Sequence, residues 1–421
     1  MKSNRFNKYP ALTLLLTIFL LLIFTDILMT KVSTQILNKF KKYKSNQSLG
    51  IRHPVYHHTF KPNKKIKRTH SKKSFGKDYI FYSNSLGFKD SRIRDISLET
   101  DDYRILFIGD SFTEGLGLSY EETFVGIIDS TLKNKNISIL NAGKVSYSPI
   151  IYWRKIKYLI ENIGLKFNEV VVYVDISDAY NEAISYSLDE ELNVQYKTKS
   201  ERRDEDNEER IKVKIKTNLK TKLYIFLKQN TTVIFKAIKY FYRQFGFSEK
   251  QPKTNPWSSI IEKNSISDEW NLIVDKWTID KQIQEDWGDE GNEKNILYMN
   301  KLLNLLNQNN IKLTLAVYPW PSQIYYDDIN SLHIRIWEDW CSKNKVDFIN
   351  YFPLFFNLKL DNERKLDFLK KYFFPYDVHF NKNGNRFIAD EFLKFFSQKS
   401  SWSMRKSEKE QKQNYLKQFN F

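Results

Sequence analysis

Cysteine is almost absent from this chain of 421 residues, which contains only Cys341. A single cysteine cannot form an intramolecular disulfide, so the stability of the fold must come from packing. Cys341 stands between tryptophan and serine near the end of an expected helix, where a buried structural thiol is the expected role. The sequence also lacks a nucleic-acid-binding motif and internal repeats. Its net charge of +17 is spread along the chain, so it does not predict a nucleic-acid partner.

Long apolar runs are also scarce, and the one present spans Ala11 to Met29. As a helix these residues would extend ~28 Å, close to the thickness of the hydrocarbon core of a membrane. No small-x-small cleavage site follows Thr30, which favours an uncleaved anchor over a cleaved signal peptide. Large domains that follow such an anchor often cross the membrane whatever the flanking charge, so we expect a single-pass protein with its bulk outside the cytoplasm.

The rest of the chain divides by composition. The predicted segments are a basic N-terminus (1–9), a transmembrane signal anchor (10–30), a basic stalk and lead-in (31–100), a main domain (101–398) with an insertion at about 185–290, and a charged C-terminal tail (399–421). Within the stalk, residues 31–44 are either an amphipathic helix on lipid headgroups or a solvated linker. The insertion is a lid, a membrane-facing helix pair or additional core.

Five short apolar runs in the main domain are typical of buried parallel strands. They are Arg104–Gly109, Ile137–Asn141, Glu169–Val174, Ile311–Tyr318 and Val346–Asn350. Helical patterns separate them, and this alternation predicts an α/β fold: a three-layer α/β/α sandwich with a central five-stranded parallel sheet. In such sheets the active site lies at the carboxyl ends of the strands.

A serine follows the first of these strands directly, in the run Ile108–Gly115. Far downstream, Asp377 and His379 stand two residues apart, and Asn381 is a plausible N-cap for a helix behind them. A serine hydroxyl is a poor nucleophile unless a base takes its proton and a third group orients that base. We therefore expect Ser111 as nucleophile, His379 as base and Asp377 as its orienter.

These motifs resemble the SGNH/GDSL hydrolase superfamily. Gly109-Asp110-Ser111 is similar to its first block, and Asn141-Ala142-Gly143 is similar to its second. The pair Asp377 and His379 resembles the D-x-H-x(4)-G ending of the polysaccharide O-acetyltransferase and DltD-like branches. The resemblance implies a flavodoxin-like sheet and an oxyanion hole in which the N–H groups of Ser111 and Gly143 point into one cavity with His379.

The third block departs from the family pattern. Where the family has G-x-N-D, with an asparagine that donates to the oxyanion, this chain has Asp175-Ile-Ser177-Asp178. Either Ser177 replaces the missing donor or Asn181 reaches into the site. Loss of one oxyanion donor typically costs ~3 kcal/mol of transition-state stabilisation, so the departure affects the rate more than the reaction class.

Two further groups of residues are candidates for binding. Tyr318 and Trp320 leave the fourth strand on the same side as the serine, where we expect them to line an acyl or sugar pocket or to form a structural turn. His53, His57 and His58 have no acidic or cysteine ligand at suitable spacing, so neither a metal nor another cofactor is predicted.

Three functions remain open from the sequence. The first is a serine esterase that acts on acyl or acetyl esters of a cell-envelope glycan or lipid. The second is an O-acyltransferase or O-acetyltransferase of polysaccharide modification, in which acyl-Ser111 is passed to a sugar hydroxyl, with an acyl-donating membrane protein as a partner. The third is a non-catalytic, membrane-tethered scaffold or glycan-binding protein, for which the altered third block is the argument.

Overall fold

The computed structural model describes most of the chain outside the insertion and the two ends. The described residues are 10–45, 49–68, 78–133, 135–197, 274–356, 362–375 and 377–399. The chain divides into two compact units, one of Met1–Ser48 with Arg203–Thr254 and one of Leu49–Arg202 with Asn255–Phe421. The predicted N-terminus, the centre of the insertion and nearly all of the tail lie outside the described residues.

The described part of the first unit is one helix, Pro10–Ser45. Its segment Thr13–Lys31 has a mean hydropathy of 2.3 over 19 residues, which is long and apolar enough to cross a membrane. Its apolar side chains are largely exposed, as with Leu15 and Phe24 at 65% each. A signal sequence meets the same criteria of length and composition.

The second unit contains twelve strands among its described residues. They are β1 (Gly50–His53), β2 (His57–Phe60), β3 (Lys65–Arg68), β4 (Tyr79–Ser83), β5 (Lys89–Asp90), β6 (Tyr103–Gly109), β7 (Ile137–Asn141), β8 (Glu169–Val174), β9 (Tyr186–Leu188), β10 (Val194–Tyr196), β11 (Lys312–Val317) and β12 (Asp347–Asn350). Eight of them form the main sheet, in the order β12-β11-β8-β6-β7-β5-β4-β3. The pairs β1–β2 and β9–β10 are separate hairpins.

The main sheet is mixed. Strands β12, β11, β8, β6 and β7 are parallel to one another, whereas β5, β4 and β3 continue the sheet in antiparallel pairs. The prediction of a five-stranded parallel sheet was therefore wrong in its extent. The missed strands belong to the lead-in. Strands β3 and β5 are short and contain lysine, so they give no apolar run, whereas β4 reads Tyr-Ile-Phe-Tyr-Ser and is an apolar run that the sequence analysis did not assign. The order of the parallel strands is flavodoxin-like, and its switch point lies between β6 and β8.

Alternate residues of the parallel strands are buried on opposite faces of the sheet. Ile105 and Phe107 belong to one core, with helices Phe124–Leu132, Asn362–Tyr372 and 382–399. Leu106 and Ile108 belong to the other, with helices Pro149–Tyr158, Asp289–Gln308 and Leu332–Asn344. Because both faces are covered, these strands read as unbroken apolar runs. The unit is thus an α/β fold with helices on both sides of its sheet.

Candidate active site

The carboxyl end of β6 turns directly into a short helix, Ser111–Glu114. Asp110 caps this helix, since its Oδ1 accepts the Phe112 N–H at 2.9 Å. Gly115 ends it with φ +72°, a left-handed conformation that favours glycine. Ser111 is 6% exposed. The sequence therefore places the serine at the switch point of the sheet, held on both sides by local backbone structure.

Asp377 and His379 lie on a loop fixed by the helix that follows it. Asn381 caps that helix, its Oδ1 accepting the N–H groups of Asn383 at 2.9 Å and Gly384 at 3.2 Å. Phe380 is buried within the loop, and its ring lies 5.0 Å from that of Phe112. The predicted N-cap is present, and this packing holds the loop against the serine helix.

The three residues form a continuous hydrogen-bonded series. His379 Nε2 lies 2.7 Å from Ser111 Oγ. On the other side of the ring, His379 Nδ1 contacts Asp377 Oδ1, which also accepts the His379 backbone N–H at 3.0 Å. A nitrogen that donates to a carboxylate carries the ring proton, so the Nε2 of a neutral imidazole is an acceptor. In this geometry His379 can take the serine proton.

The charges of the pair reinforce each other. Burial disfavours the charged imidazole of His379, but Asp377, followed by Asp110 and Asp175, raises the pKa of that ring. Burial likewise disfavours the Asp377 carboxylate, yet His379 and the hydrogen bonds to it lower the pKa of Asp377. The Asp377 carboxylate is therefore suited to stabilising an imidazolium that forms during reaction.

A buried acidic cluster lies beneath the serine, built around Asp175 at the end of β8. Its Oδ1 accepts the N–H and hydroxyl of Ser177 at 2.8 and 2.5 Å. Its Oδ2 accepts the Tyr318 hydroxyl at 2.6 Å and the Trp320 indole N–H at 2.8 Å. Asp175 is 1% exposed, and these four donors satisfy both oxygens of its buried carboxyl group.

This cluster changes the interpretation of Tyr318 and Trp320. The sequence leaves open whether they line a pocket or form a structural turn, and in the structure the two side chains are 1% and 4% exposed. Their polar atoms donate to Asp175, and the Tyr318 ring lies 4.8 Å from that of Phe112. The structure thus places both side chains beneath the serine turn, where they support it.

Asp110 joins the cluster to the nucleophile. Its Oδ2 is 2.8 Å from Ser111 Oγ, and its Oδ1 is 3.3 Å from the Tyr318 hydroxyl. Burial, followed by the charge of Asp175, raises the pKa of Asp110 to about 7. Sequence reasoning missed Asp110 and Asp175 as site residues, although both directly follow strands that adjoin at the switch point.

Gly143 lies against the serine helix. A Cβ at this position would stand 2.7 Å from the Cβ of Thr113 and 3.0 Å from the Glu114 nitrogen. The Gly143 N–H donates to Asn141 Oδ1 at 3.0 Å, and Asn141 Nδ2 donates to the Thr113 carbonyl at 2.8 Å. The Asn141 carboxamide therefore links the end of β7 to the serine turn. It also accepts the hydrogen bond of the Gly143 N–H, the group that the sequence analysis expects in the oxyanion hole.

Neither candidate for the third oxyanion donor is joined to the serine. Ser177 donates its hydroxyl to Asp175. Asn181 lies in the turn Asn181–Ser185, where its Oδ1 accepts the Ser185 hydroxyl at 3.4 Å. Among the described residues, no hydrogen bond links either side chain to Ser111.

The histidine cluster is separate from this series. His57 Nδ1 lies 2.8 Å from His58 Nδ1, and His58 Nε2 lies 2.8 Å from the Val145 carbonyl. Burial lowers the pKa of His58 to about 3 and that of His57 to about 4, so both rings are neutral near pH 7. No group of three or more His, Cys, Asp or Glu within the described ranges could hold a metal ion.

Comparison with known proteins gives matches to solved structures only. No protein-family model matches the sequence, and no curated protein matches it. The esterase EstA from Pseudoalteromonas sp. is 11% identical, with a TM-score of 0.33 over 71% of this chain and 100% of its own. The acetyl xylan esterase AlAXEase is 13% identical, with a TM-score of 0.35 over 69% of this chain and 98% of its own. AlinE4, an esterase of the SGNH-hydrolase family, is 12% identical, with a TM-score of 0.28 over 62% of this chain and 79% of its own. Similarity at this level assigns no function to the chain.

Proposed function

We propose that this protein is a serine esterase with Ser111 as nucleophile, His379 as general base and Asp377 as orienter. The observation that carries the proposal is the hydrogen-bonded series from Ser111 Oγ through His379 to Asp377, with 2.7 Å between Oγ and Nε2. As Oγ attacks an ester carbonyl, His379 takes its proton and passes it to the leaving alcohol. Water then attacks the acyl-enzyme, with His379 again as base.

The developing negative charge on the ester oxygen needs donors. We assign the Ser111 N–H at the start of its helix as one donor and the Gly143 N–H as a second. The Gly143 amide becomes available only when the ester oxygen replaces Asn141 Oδ1 as its acceptor. A hole with fewer donors than the family pattern implies a slower enzyme, since each donor typically contributes ~3 kcal/mol.

The substrate and the location form the second part of the proposal. The apolar helix Thr13–Lys31 supports an anchor over residues 10–30. With its bulk outside the cytoplasm, the esterase would act on acyl or acetyl esters of a cell-envelope glycan or lipid. Transfer of the acyl group to a sugar hydroxyl would use the same acyl-enzyme, with a sugar in place of water.

The test uses the full chain in detergent with p-nitrophenyl acetate. Ser111→Ala is the variant, and Ser130→Ala, an exposed serine on the helix Phe124–Leu132, is the matched control. We expect nitrophenol release from the wild type and from Ser130→Ala, and none above background from Ser111→Ala. Equal release from all three proteins would contradict the proposal. Acetylated product in the presence of added glycans would identify transfer instead of hydrolysis.

A fluorophosphonate probe supplies an independent readout, because it labels an activated serine whatever the natural acyl group. Labelling of the wild type that is lost in both Ser111→Ala and His379→Ala is the expected result. Labelling that survives in Ser111→Ala would place the reactive serine elsewhere.

A further inference from the structure

Two groups compete for the single proton of the Ser111 hydroxyl. His379 Nε2 lies 2.7 Å from Oγ, and Asp110 Oδ2 lies 2.8 Å from the same atom. A hydroxyl donates only one hydrogen bond, although it can accept others. If Asp110 is ionised, its carboxylate attracts the proton away from the base. If Asp110 is protonated, it donates to Oγ instead.

The surroundings of Asp110 favour the protonated form. Tyr318 has one hydroxyl proton, and the shorter distance, 2.6 Å, assigns it to Asp175. With its proton on that bond, the Tyr318 hydroxyl has none left to donate to Asp110 Oδ1, which lies 3.3 Å away. Asp175 already has four donors. The described donors to Asp110 are the Phe112 N–H and the hydroxyls of Ser111 and Tyr318, and each of these hydroxyls also has a second acceptor. Of two adjoining buried carboxyls, the one with fewer donors holds the proton.

We propose that Asp110 is protonated in the resting enzyme and donates a hydrogen bond to Ser111 Oγ. This hydrogen bond turns the serine hydroxyl toward His379. This inference rests on the proposed function. Asp110 touches the reacting atom and is therefore a catalytic residue in its own right. Its hydrogen bond keeps Oγ aligned between donor and base before attack.

A second arrangement contains the same number of protons. The Asp110 O–H bond breaks as its proton passes to Oγ, and the serine O–H bond breaks as that proton passes to His379 Nε2. The products are a carboxylate and an imidazolium, with the serine hydroxyl reformed. This form is unproductive, because the base already holds a proton. The balance between the two arrangements therefore sets the fraction of active enzyme.

The charged and titratable groups that act on Asp110 come from several elements. They are Asp175 and Asp178 after β8, Tyr318 after β11, Tyr152 on the helix Pro149–Tyr158, and His379 on the C-terminal loop. Burial and Asp175 raise the pKa of Asp110 to about 7, while His379 acts in the opposite direction. Activity is therefore expected to decline above about pH 7, where Asp110 ionises and competes for the serine proton.

The decisive variant is Asp110→Asn, whose amide can still cap the helix and donate to Oγ but cannot ionise. We expect kcat for p-nitrophenyl acetate to fall about tenfold with KM unchanged, because a neutral amide donates more weakly than a carboxylic acid. The alkaline decline of the wild type should disappear in this variant. If activity of Asp110→Asn declines at alkaline pH as it does in the wild type, Asp110 serves only to cap the helix, and the proposal is wrong. Activity at the level of Ser111→Ala at every pH would show that the carboxylate is required, and would also overturn the proposal.

Infrared spectroscopy tests the proton without relying on catalysis. The full-length wild type at pH 6 should show the C=O stretch of a protonated carboxyl that is missing from Asp110→Asn. The same band should shift in Ser111→Ala, which removes the acceptor, and remain in place in Asp129→Asn, a carboxyl with a raised pKa on the helix Phe124–Leu132. If the wild type and Asp110→Asn show the same C=O bands of protonated carboxyl groups, Asp110 is not protonated and the proposal is refuted. This result does not depend on whether the protein is an esterase.

Discussion

Substitution of Gly143 by alanine tests the close approach of the second strand's end to the serine turn. The added Cβ would stand 2.7 Å from Thr113 Cβ and Cγ2, and 3.0 Å from the Glu114 nitrogen. Carbon atoms in contact are ordinarily ~3.5–4.0 Å apart, so one segment must move by about 1 Å. A backbone nitrogen cannot rotate away as a flexible side chain would. The helix that carries Ser111 must therefore shift.

Two effects follow from this shift. Overpacking of a core typically costs ~1–3 kcal/mol of unfolding free energy, which corresponds to a fall of about 2–6 °C in Tm for a unit of this size. A misplacement of ~1 Å at a reacting group costs about 100-fold in rate. We therefore expect kcat to fall more severely than stability, because Ser111 Oγ moves relative to His379.

The matched control is Gly50→Ala, whose Cβ would meet Lys144 Nζ at 3.7 Å and the Thr59 carbonyl at 3.9 Å, both ordinary contacts. Thermal melting and p-nitrophenyl acetate kinetics of the two variants are compared with the wild type. The control should match the wild type in both assays. If Gly143→Ala also matches it, the end of β7 does not press on the serine turn, and the reasoning fails.

Three further predictions concern other buried polar and charged groups. Asp377→Asn should lower kcat by ~10³–10⁴-fold, and the acidic limb of its pH–rate profile should move to lower pH, since the carboxylate that raises the pKa of His379 is lost; an unchanged limb would contradict the pairing. Trp320→Phe removes one donor from the buried Asp175 and should lower the unfolding free energy in a urea titration by ~1.5–3 kcal/mol; a loss below ~0.5 kcal/mol would show that water replaces the indole. Burial raises the pKa of Glu182 from 4.5 to about 7, so the folded state binds this proton more tightly than the unfolded state and stability falls as pH rises through that window. Glu182→Gln lacks this dependence, so its unfolding free energy should rise by up to ~3 kcal/mol relative to that of the wild type between about pH 4.5 and pH 8, measured by urea titration. If the difference in unfolding free energy between the two proteins does not change with pH, the pKa of Glu182 lies near its ordinary value.

The parallel strands could be predicted from the sequence because of where they lie. A strand covered by helices on both faces is apolar along most of its length, as in Ile105–Gly109 of β6 and Val170–Val174 of β8. Two strands of the antiparallel part of the sheet, β3 and β5, have the opposite property. Strand β3 reads Lys-Ile-Lys-Arg, with one apolar residue in four, and β5 has only two residues. Charged, short edge strands limit edge-to-edge pairing, and the same charges make them read as a polar linker.

The positions of Ser111, Asp377 and His379 could also be predicted, since each stands in a local motif. The role of Asp175 could not, because it depends on strand order. Only the placement of β8 beside β6 brings this carboxylate under the serine. The roles of Tyr318 and Trp320 could not be predicted for the same reason. Their polar atoms turn inward because a buried carboxylate needs donors, a requirement that is invisible until the strands are paired.

The altered third block has a physical explanation in this arrangement. A side chain at position 177 that points toward an oxyanion cannot at the same time hold Asp175, and here both the N–H and the hydroxyl of Ser177 donate to that carboxylate. Asn141 similarly engages the Gly143 N–H while its own amide is fixed to the serine turn. Two groups that the family pattern directs at the substrate thus maintain the protein's own polar network. In the proposed esterase, transition-state stabilisation would then depend more on the Ser111 N–H and on the alignment of Oγ, which is the role proposed for Asp110.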